Sequence, residues 1–293
     1  MPASQPLPRY VVITPVRDES AHLPTTIASM RAQTVAPALW VIIDDGSGDD
    51  TRQIANDAAG ESPWIRVVSR DDRGYRAAGI GVVTAFYDGL EAVNTEWDFL
   101  VKLDGDVVLE PDYFERCLGR FAANTRLGVG GGVFHNPMPD GTWKEERAPR
   151  FHVRGGTKIY RRACWNEIGG LIRMTGWDSF DEIKANRLGW QTESFSDIVV
   201  RHQRTTGDAA GQWDNWVKNG RANFIVGYDP VFLVVRAVSR LTRKPRLTSA
   251  GGLLVGYFGS WAKREPRVDD RETIRYLRQQ QRRKLTGRPT IGG

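Results

Sequence analysis

The sequence predicts an α/β protein, an open sheet with helices on both faces, followed by a helical extension. Two observations predict it. Nearly continuous aliphatic runs recur at "RYVVITPV", "LWVIIDDGSGDDT", "WIRVVSR" and "WDFLVKLDGD", the pattern of strands buried on both faces. Segments of helical spacing stand between them on short connections, as in alternating βα units. A chain of 293 residues has room for one such domain plus an extension.

The elements follow in order. After the first run, "DESAHLPTTIASMRAQ" carries Leu23, Ile27 and Met30 at helical spacing. The second run ends in acids and glycine, and Asp50 or Thr51 can cap the helix behind it. Residues 77–93 read as a helix before the fourth strand. "EPDYFERCLGRFA" is a helix with Pro111 near its first turn, and "GVGGGVF" is a glycine-rich strand. Residues 138–150 read as a polar loop. "GGTKIYRRACWNEIGGL" combines a short strand and a helix, and "DSFDEIKANRLGW" is a short helix closed near Gly189. "QTESFSDIVVRHQR" is the last strand, with His202 just past it.

From about residue 203 the character changes. Asp229 can cap a helix opened by Pro230. Val231, Val234, Val235, Val238 and Leu241 share one face of it, with Arg236, Arg240 and Arg243 off that face. "SAGGLLVGYFGSW" repeats Leu253, Leu254, Tyr257, Phe258 and Trp261 at helical spacing without a charge. It is shorter than the roughly 20 residues a membrane span needs, but it suits a bilayer interface or packing on the body. "RETIRYLRQQQRRKLTGR" reads as an exposed basic helix. Residues 236–288 hold 15 Lys+Arg against 4 Asp+Glu, a local +11 that leaves −5 for the rest of a chain with net charge +6. A basic tail on an acidic body points to an anionic surface.

Two distant cysteines, Cys117 and Cys164, form neither a disulfide framework nor a zinc pattern. "MPASQPLPRY" has no apolar leader core, so a cytoplasmic protein is expected. In open α/β sheets ligands gather at the carboxyl ends of the strands, where Asp44, Asp45, Asp104 and Asp106 all fall. Asp104 and Asp106 stand one residue apart after "FLVKL". Paired hard oxygen ligands suit Mg²⁺ or Mn²⁺, which take further ligands from substrate phosphates.

"VVITPVRDE", "VIIDDGSGDDT", "LVKLDGDVVLEPDYFE", "GGTKIYRRACWNEIGG" and "GWDSFDEIKANRLGW" occur in the order and rough spacing of family 2 glycosyltransferases, which the chain resembles over about residues 10–202. The resemblance implies a GT-A fold, with a Rossmann-like open mixed sheet flanked by helices. Residues 1–205 would form the glycosyltransferase domain, its nucleotide-binding half at about 9–106 and its acceptor half at about 107–205. Residues 206–293 would form a lid and a basic amphipathic helical extension. Thr14, Pro15, Val16 and Glu19 would line the nucleotide pocket, with Asp45 accepting from a pyrimidine ring N–H. Arg73 and Arg76 would approach the base and diphosphate. Asp104 would sit by ribose and metal, Asp106 would bind the metal, and His202 would be a further ligand. Asp178 would be the general base, with Asp181 and Glu182 as rivals. Trp177 stands where the family has a Glu, which leaves a catalytically inactive sugar-nucleotide-binding relative as an alternative. "GQWDNW" is similar to the Gln-x-x-Arg-Trp stretch of processive members but has Asn215 in place of the Arg. Trp177, Trp213 and Trp216 are candidates for stacking on an acceptor.

The expected activity is metal-dependent, inverting transfer from a nucleotide-diphosphate sugar, UDP favoured, to a hydroxyl of a glycan or lipid-linked acceptor. The basic tail suggests peripheral contact with an anionic membrane at the inner face. A sugar-phosphate nucleotidyltransferase is the rival enzyme, but "TPVRDESAHL" lacks its glycine-rich, basic signature. A nucleic-acid partner is not expected, because the body is acidic and lacks a basic face with aromatic platforms.

Overall fold

The computed structural model describes residues 8–72, 79–146, 148–204, 211–242 and 245–291. Among these residues the strands are β1 (Tyr10–Val16), β2 (Leu39–Asp44), β3 (Ile65–Ser69), β4 (Phe99–Leu103), β5 (Val107–Leu109), β6 (Leu127–Pro137), β7 (Trp143–Glu145), β8 (Thr157–Arg161) and β9 (Gln191–His202). The helices of the body are α1 (Leu23–Arg31), α2 (Thr51–Glu61), α3 (Ile80–Glu91), α4 (Tyr113–Ala123), α5 (Arg162–Ile168) and α6 (Trp177–Arg187). Four more follow: α7 (Gln212–Ile225), α8 (Pro230–Arg240), α9 (Arg246–Ala262) and α10 (Arg271–Leu285).

The sheet runs β3-β2-β1-β4-β8-β6-β9-β5, with β7 paired to β6. The first four strands are parallel, and β8 joins β4 antiparallel, so the sheet is mixed. Every residue of β2 and β4 is buried. Alternate side chains feed the two faces. Tyr10, Val12, Trp40, Ile42, Phe99 and Val101 meet α1, α2 and α4, while Val11, Ile13, Val41, Ile43 and Leu100 meet α3, α5 and α6. The connections from β1 lead one way to β2, and β4 lies on its other side. The carboxyl ends of β1 and β4 therefore flank the point where strand order reverses, the usual ligand crevice of such sheets.

Two sequence readings change here. Residues 138–150 hold β7, a three-residue strand on β6, too short to show alternation. The α2 terminus is held by Asp49 rather than by Asp50 or Thr51. The Asp49 side chain accepts from Thr51 N–H at 3.0 Å and from Ser20 N–H at 3.1 Å, while Asp50 makes no cap bond.

The extension packs on the body through a third core. Phe180 and Ile183 of α6 meet Phe224, Leu233, Tyr257 and Leu277 from α7, α8, α9 and α10. Asp229 caps α8 as expected, accepting from Val231 N–H at 2.9 Å. The last helix is not wholly exposed, because Thr273, Leu277 and Gln281 are buried. Cys117 and Cys164 are buried free thiols. No helix among the described residues is long and apolar enough to cross a membrane.

Candidate active site

The two acids of the "DGD" turn diverge in environment. Asp104 follows β4, donates its N–H to Gly156 O at 2.8 Å, and its carboxylate meets the Lys102 ammonium. Asp106 is buried. Its Oδ2 accepts from Arg204 Nε at 2.7 Å, and its Oδ1 lies 3.9 Å from His202 Nε2. His202 ends β9, which β5 brings alongside the turn by antiparallel pairing of Val107 with His202. The His202 ring packs on Phe134 and places Nδ1 3.1 Å from Asn136 Oδ1. With Nδ1 donating to that carbonyl, Nε2 turns its lone pair toward the acids, an outer contact typical of metal-ligating histidines. Ligand atoms of Asp104, Asp106 and His202 all lie within 4.8 Å of one another. Two carboxylates and one imidazole form a donor set that a divalent cation can take, the carboxylates suiting Mg²⁺ or Mn²⁺ and the imidazole a transition ion.

Val16 and Glu19 complete this corner. A Cβ on Gly105 would sit 2.6 Å from Val16 Cγ1 and 3.8 Å from Glu19 Cγ, so both flank the turn between the acids. Glu19 is buried, accepts from Arg204 Nη2 at 2.5 Å, and donates its N–H to Thr51 Oγ1 at 2.8 Å. Arg204 thus bridges Glu19 and Asp106. Desolvation works against its charge, but Asp106 and Glu19 raise its pKa. Pro15 is half-buried at the same strand end. Thr14 corrects an expectation: it is fully buried, and its hydroxyl accepts from Trp40 Nε1 at 2.8 Å, so its side chain serves the core and not the pocket.

At the end of β2, Asp44 is structural. Its fully buried carboxylate accepts from Arg52 Nε at 2.7 Å and from Ser47 N–H at 3.0 Å. Asp45 is oriented by Arg70 at 2.8 Å. Gly46 turns the chain directly after them at φ +75°, where a Cβ would lie 2.6 Å from Asp72 Cα. Arg73 and Arg76 lie outside the described residues.

Asp178 occupies the first turn of α6, half-buried. Gly176 precedes the helix as its N-cap, in the left-handed region at φ +94°. A Cβ on Gly155 would lie 3.4 Å from Asp178 Cβ, and one on Gly156 would lie 3.1 Å from Asp104 Oδ2. This pair of glycines is where the Asp178 and Asp104 regions meet. The rivals Asp181 and Glu182 are corrected by burial. Both face inward to Lys158, at 2.9 and 2.8 Å. Asp181 also accepts from Tyr160 at 2.5 Å, and Glu182 from Val153 N–H at 2.8 Å. Burial pushes the Asp181 carboxyl up, against the pull of Lys158. Groups so enclosed cannot reach an acceptor hydroxyl.

Sequence reasoning missed the lysines beneath the site. Lys102 of β4 and Lys158 of β8 are paired directly across the sheet, and both are buried. Like charges so placed repel. Asp104 against Lys102, and Asp181 and Glu182 against Lys158, offset this, and the Trp177 ring lies 5.5 Å from Lys102 Nζ and 5.8 Å from Lys158 Nζ. Lys158 also donates to the Asp178 backbone carbonyl. Desolvation disfavours the charge of Lys158, but Asp181 and Glu182 raise its pKa overall. A charged residue inside an apolar strand, as in "FLVKL" and "TKIYR", was the available signal. The signal for Arg204 was its place two residues after His202. Trp177 is itself corrected: it is buried in the core with these lysines and has no ring face to offer an acceptor. Trp213 and Trp216 lie on α7 against Gly251 and Gly252 of α9. Trp216 also carries Arg240 over its ring at 4.6 Å.

Comparisons with known proteins agree with this architecture. A chondroitin synthase of Pasteurella multocida is 28% identical over 136 residues, covering 46% of this chain and 13% of that one. An undecaprenyl-phosphate mannosyltransferase of Micrococcus luteus is 30% identical over 110 residues, covering 38% and 43%. The chain thus spans a minor part of the length of these relatives. A mannosyltransferase structure from Pyrobaculum calidifontis, in complex with GDP-Man and Mn²⁺, superposes with TM-score 0.54 and 14% identity over 92% of this chain and 73% of that one. The fold is GT-A. The family model described as glycosyl transferase family 2 matches residues 11–178, and the chain belongs to that family.

Proposed function

We propose that this chain is a metal-dependent, inverting glycosyltransferase that moves a sugar from a nucleotide-diphosphate sugar to an acceptor hydroxyl. The observation that carries the reading is the Asp104–Asp106–His202 group, with Asp178 reached across the Gly155–Gly156 pair. Asp106, Asp104 and His202 would hold Mg²⁺ or Mn²⁺, which supplies charge neutralisation to a diphosphate leaving group. Glu19 and Arg204 border that corner, and the guanidinium suits phosphate oxygens. Asp45, oriented by Arg70, would accept from a ring N–H of the base, a donor that uracil offers and cytosine lacks.

Asp178 takes the acceptor proton. As the acceptor oxygen bonds to the anomeric carbon, the bond from that carbon to the diphosphate oxygen breaks, and its electron pair leaves with the nucleotide. The hydroxyl proton goes to the Asp178 carboxylate. Attack opposite the leaving group inverts the anomeric centre. Lys158, bound to the Asp178 carbonyl, fixes the first turn of α6 from below. Trp213 and Trp216 belong to helix packing at α7 and α9, and Trp213 keeps enough exposure to meet an acceptor. The names of the relatives, a chondroitin synthase and an undecaprenyl-phosphate mannosyltransferase, support a glycan or lipid-linked acceptor.

Two measurements test this. A thermal-shift screen of UDP, GDP, dTDP and CMP, each with and without Mn²⁺, should show the largest stabilisation with UDP plus Mn²⁺. Asp178→Asn should lower transfer about 10²–10⁴-fold while keeping the nucleotide–Mn²⁺ shift. Transfer unchanged in that variant removes Asp178 as the base.

A further inference from the structure

The extension carries an apolar surface that the body does not use. Helix α8 buries Leu233 and Ala237 against the third core. On the opposite side Val231, Val234, Val235 and Val238 are 41–62% exposed. A surface helix normally has one apolar stripe and a polar one; α8 is apolar on both. Valine is also a poor helix former, so local propensity gives no reason for four of them facing water. Helix α9 packs beside α8 and exposes Phe258 and the large ring of Trp261. Nine of the fourteen large apolar side chains exposed among the described residues fall in residues 231–261.

Charge decides what covers this surface. Between Asp229 and Glu265 the sequence holds seven Lys+Arg and no acid. Arg236 and Arg240 lie off the valine face, stacked on Tyr228 and Trp216 at 5.8 and 4.6 Å, while Arg246, Lys263 and Arg264 at the two ends of α9 are exposed. A second copy of the chain would set cations against cations with no acid to offset them. A surface of anionic lipid headgroups over hydrocarbon satisfies both features at once. Apolar side chains enter the headgroup boundary, cations meet phosphates, and Trp favours that depth.

We infer that the outer faces of α8 and α9 dock on an anionic membrane and lie parallel to its plane. This deepens the acceptor reading above by naming the lipid surface as the partner, and the test separates the two. The full chain is sedimented with phosphatidylcholine vesicles and with vesicles containing phosphatidylglycerol, at low and high salt. The expected result is binding to the anionic vesicles that weakens with salt. The variant Val231→Gln/Val235→Gln/Val238→Gln should reduce that binding at least about tenfold, because apolar area drives insertion. Its UDP–Mn²⁺ thermal shift should equal that of the wild type, which also shows that it folds. Wild-type chain left in the supernatant at low salt overturns the inference, and that result needs no variant. Equal sedimentation of variant and wild type overturns it too. So does a wild-type dimer, by analytical ultracentrifugation, that the variant dissolves, since the face would then be an interface between copies. None of these results touches the catalytic reading, which stands or falls on the nucleotide–Mn²⁺ shift and on transfer by Asp178→Asn.

Discussion

Replacing Arg204 by Ala should act on the protein in two opposite directions. The guanidinium bridges Asp106 at 2.7 Å and Glu19 at 2.5 Å, and its own side chain is 41% exposed against 10% and 7% for the two acids. Without it, two buried carboxylates share one corner and lose the guanidinium that joins them. Each charge-assisted bond is worth about 1.5–3 kcal/mol. Solvent screening of the half-exposed guanidinium brings the pair to about 2 kcal/mol. In a chain of this size that lowers Tm by about 4–6 °C in EDTA. On the proposed function, removing the guanidinium also removes its repulsion with a metal bound at Asp106 Oδ1, Asp104 and His202. After screening, that repulsion is roughly 1–2 kcal/mol. The Mn²⁺ concentration giving half the maximal thermal shift should then fall about tenfold. The KM for the nucleotide sugar should rise, because the guanidinium no longer faces the diphosphate. Differential scanning fluorimetry across a Mn²⁺ titration, with initial rates alongside, reads all three. Weaker Mn²⁺ binding in Arg204→Ala, or an unchanged Tm in EDTA, refutes the reasoning.

Three further outcomes are expected. Lys158→Met leaves Asp181 and Glu182 buried without their cation, at a cost of about 3–5 kcal/mol; urea unfolding should show the midpoint drop. Gly156→Ala places a methyl 2.6 Å from the Phe134 ring and 3.1 Å from Asp104 Oδ2. Isothermal titration should show weaker Mn²⁺ binding with little change in the nucleotide alone. Asp49 is desolvated, yet hydrogen bonds from Ser20 and Thr51 hold its carboxyl at about 2, below the usual 3.8. A depressed folded value means stability that is present above pH 3.8 and lost as pH falls toward 2. Asp49→Asn should therefore cost about 1 kcal/mol at pH 7, discounted for exposure. Its deficit against wild type should shrink between pH 4 and 2 in denaturant titrations.

The sequence by itself determined the strands whose burial is continuous. β1, β2 and β4 read as apolar runs because both of their faces are covered by helices. The position of Asp104 and Asp106 at a strand end followed from the same runs, and the Asp229 cap from one local preference at a helix start. Short strands escaped, since β5 and β7 have three residues each and period-2 patterning needs more. Partners far apart in sequence escaped as well. Only the pairing of β5 with β9 brings His202 and Arg204 to Asp106, and only the β4–β8 register sets Lys102 against Lys158. The α8 valines make the division sharpest. Helical spacing alone put them on one face, but which side of α8 meets the body depended on the shape offered by α6, α9 and α10. Those helices accept Leu233 and Ala237 and leave the valines outside. Periodicity is a property of neighbouring residues, whereas the choice of buried face is made by surfaces that meet only when the chain has folded.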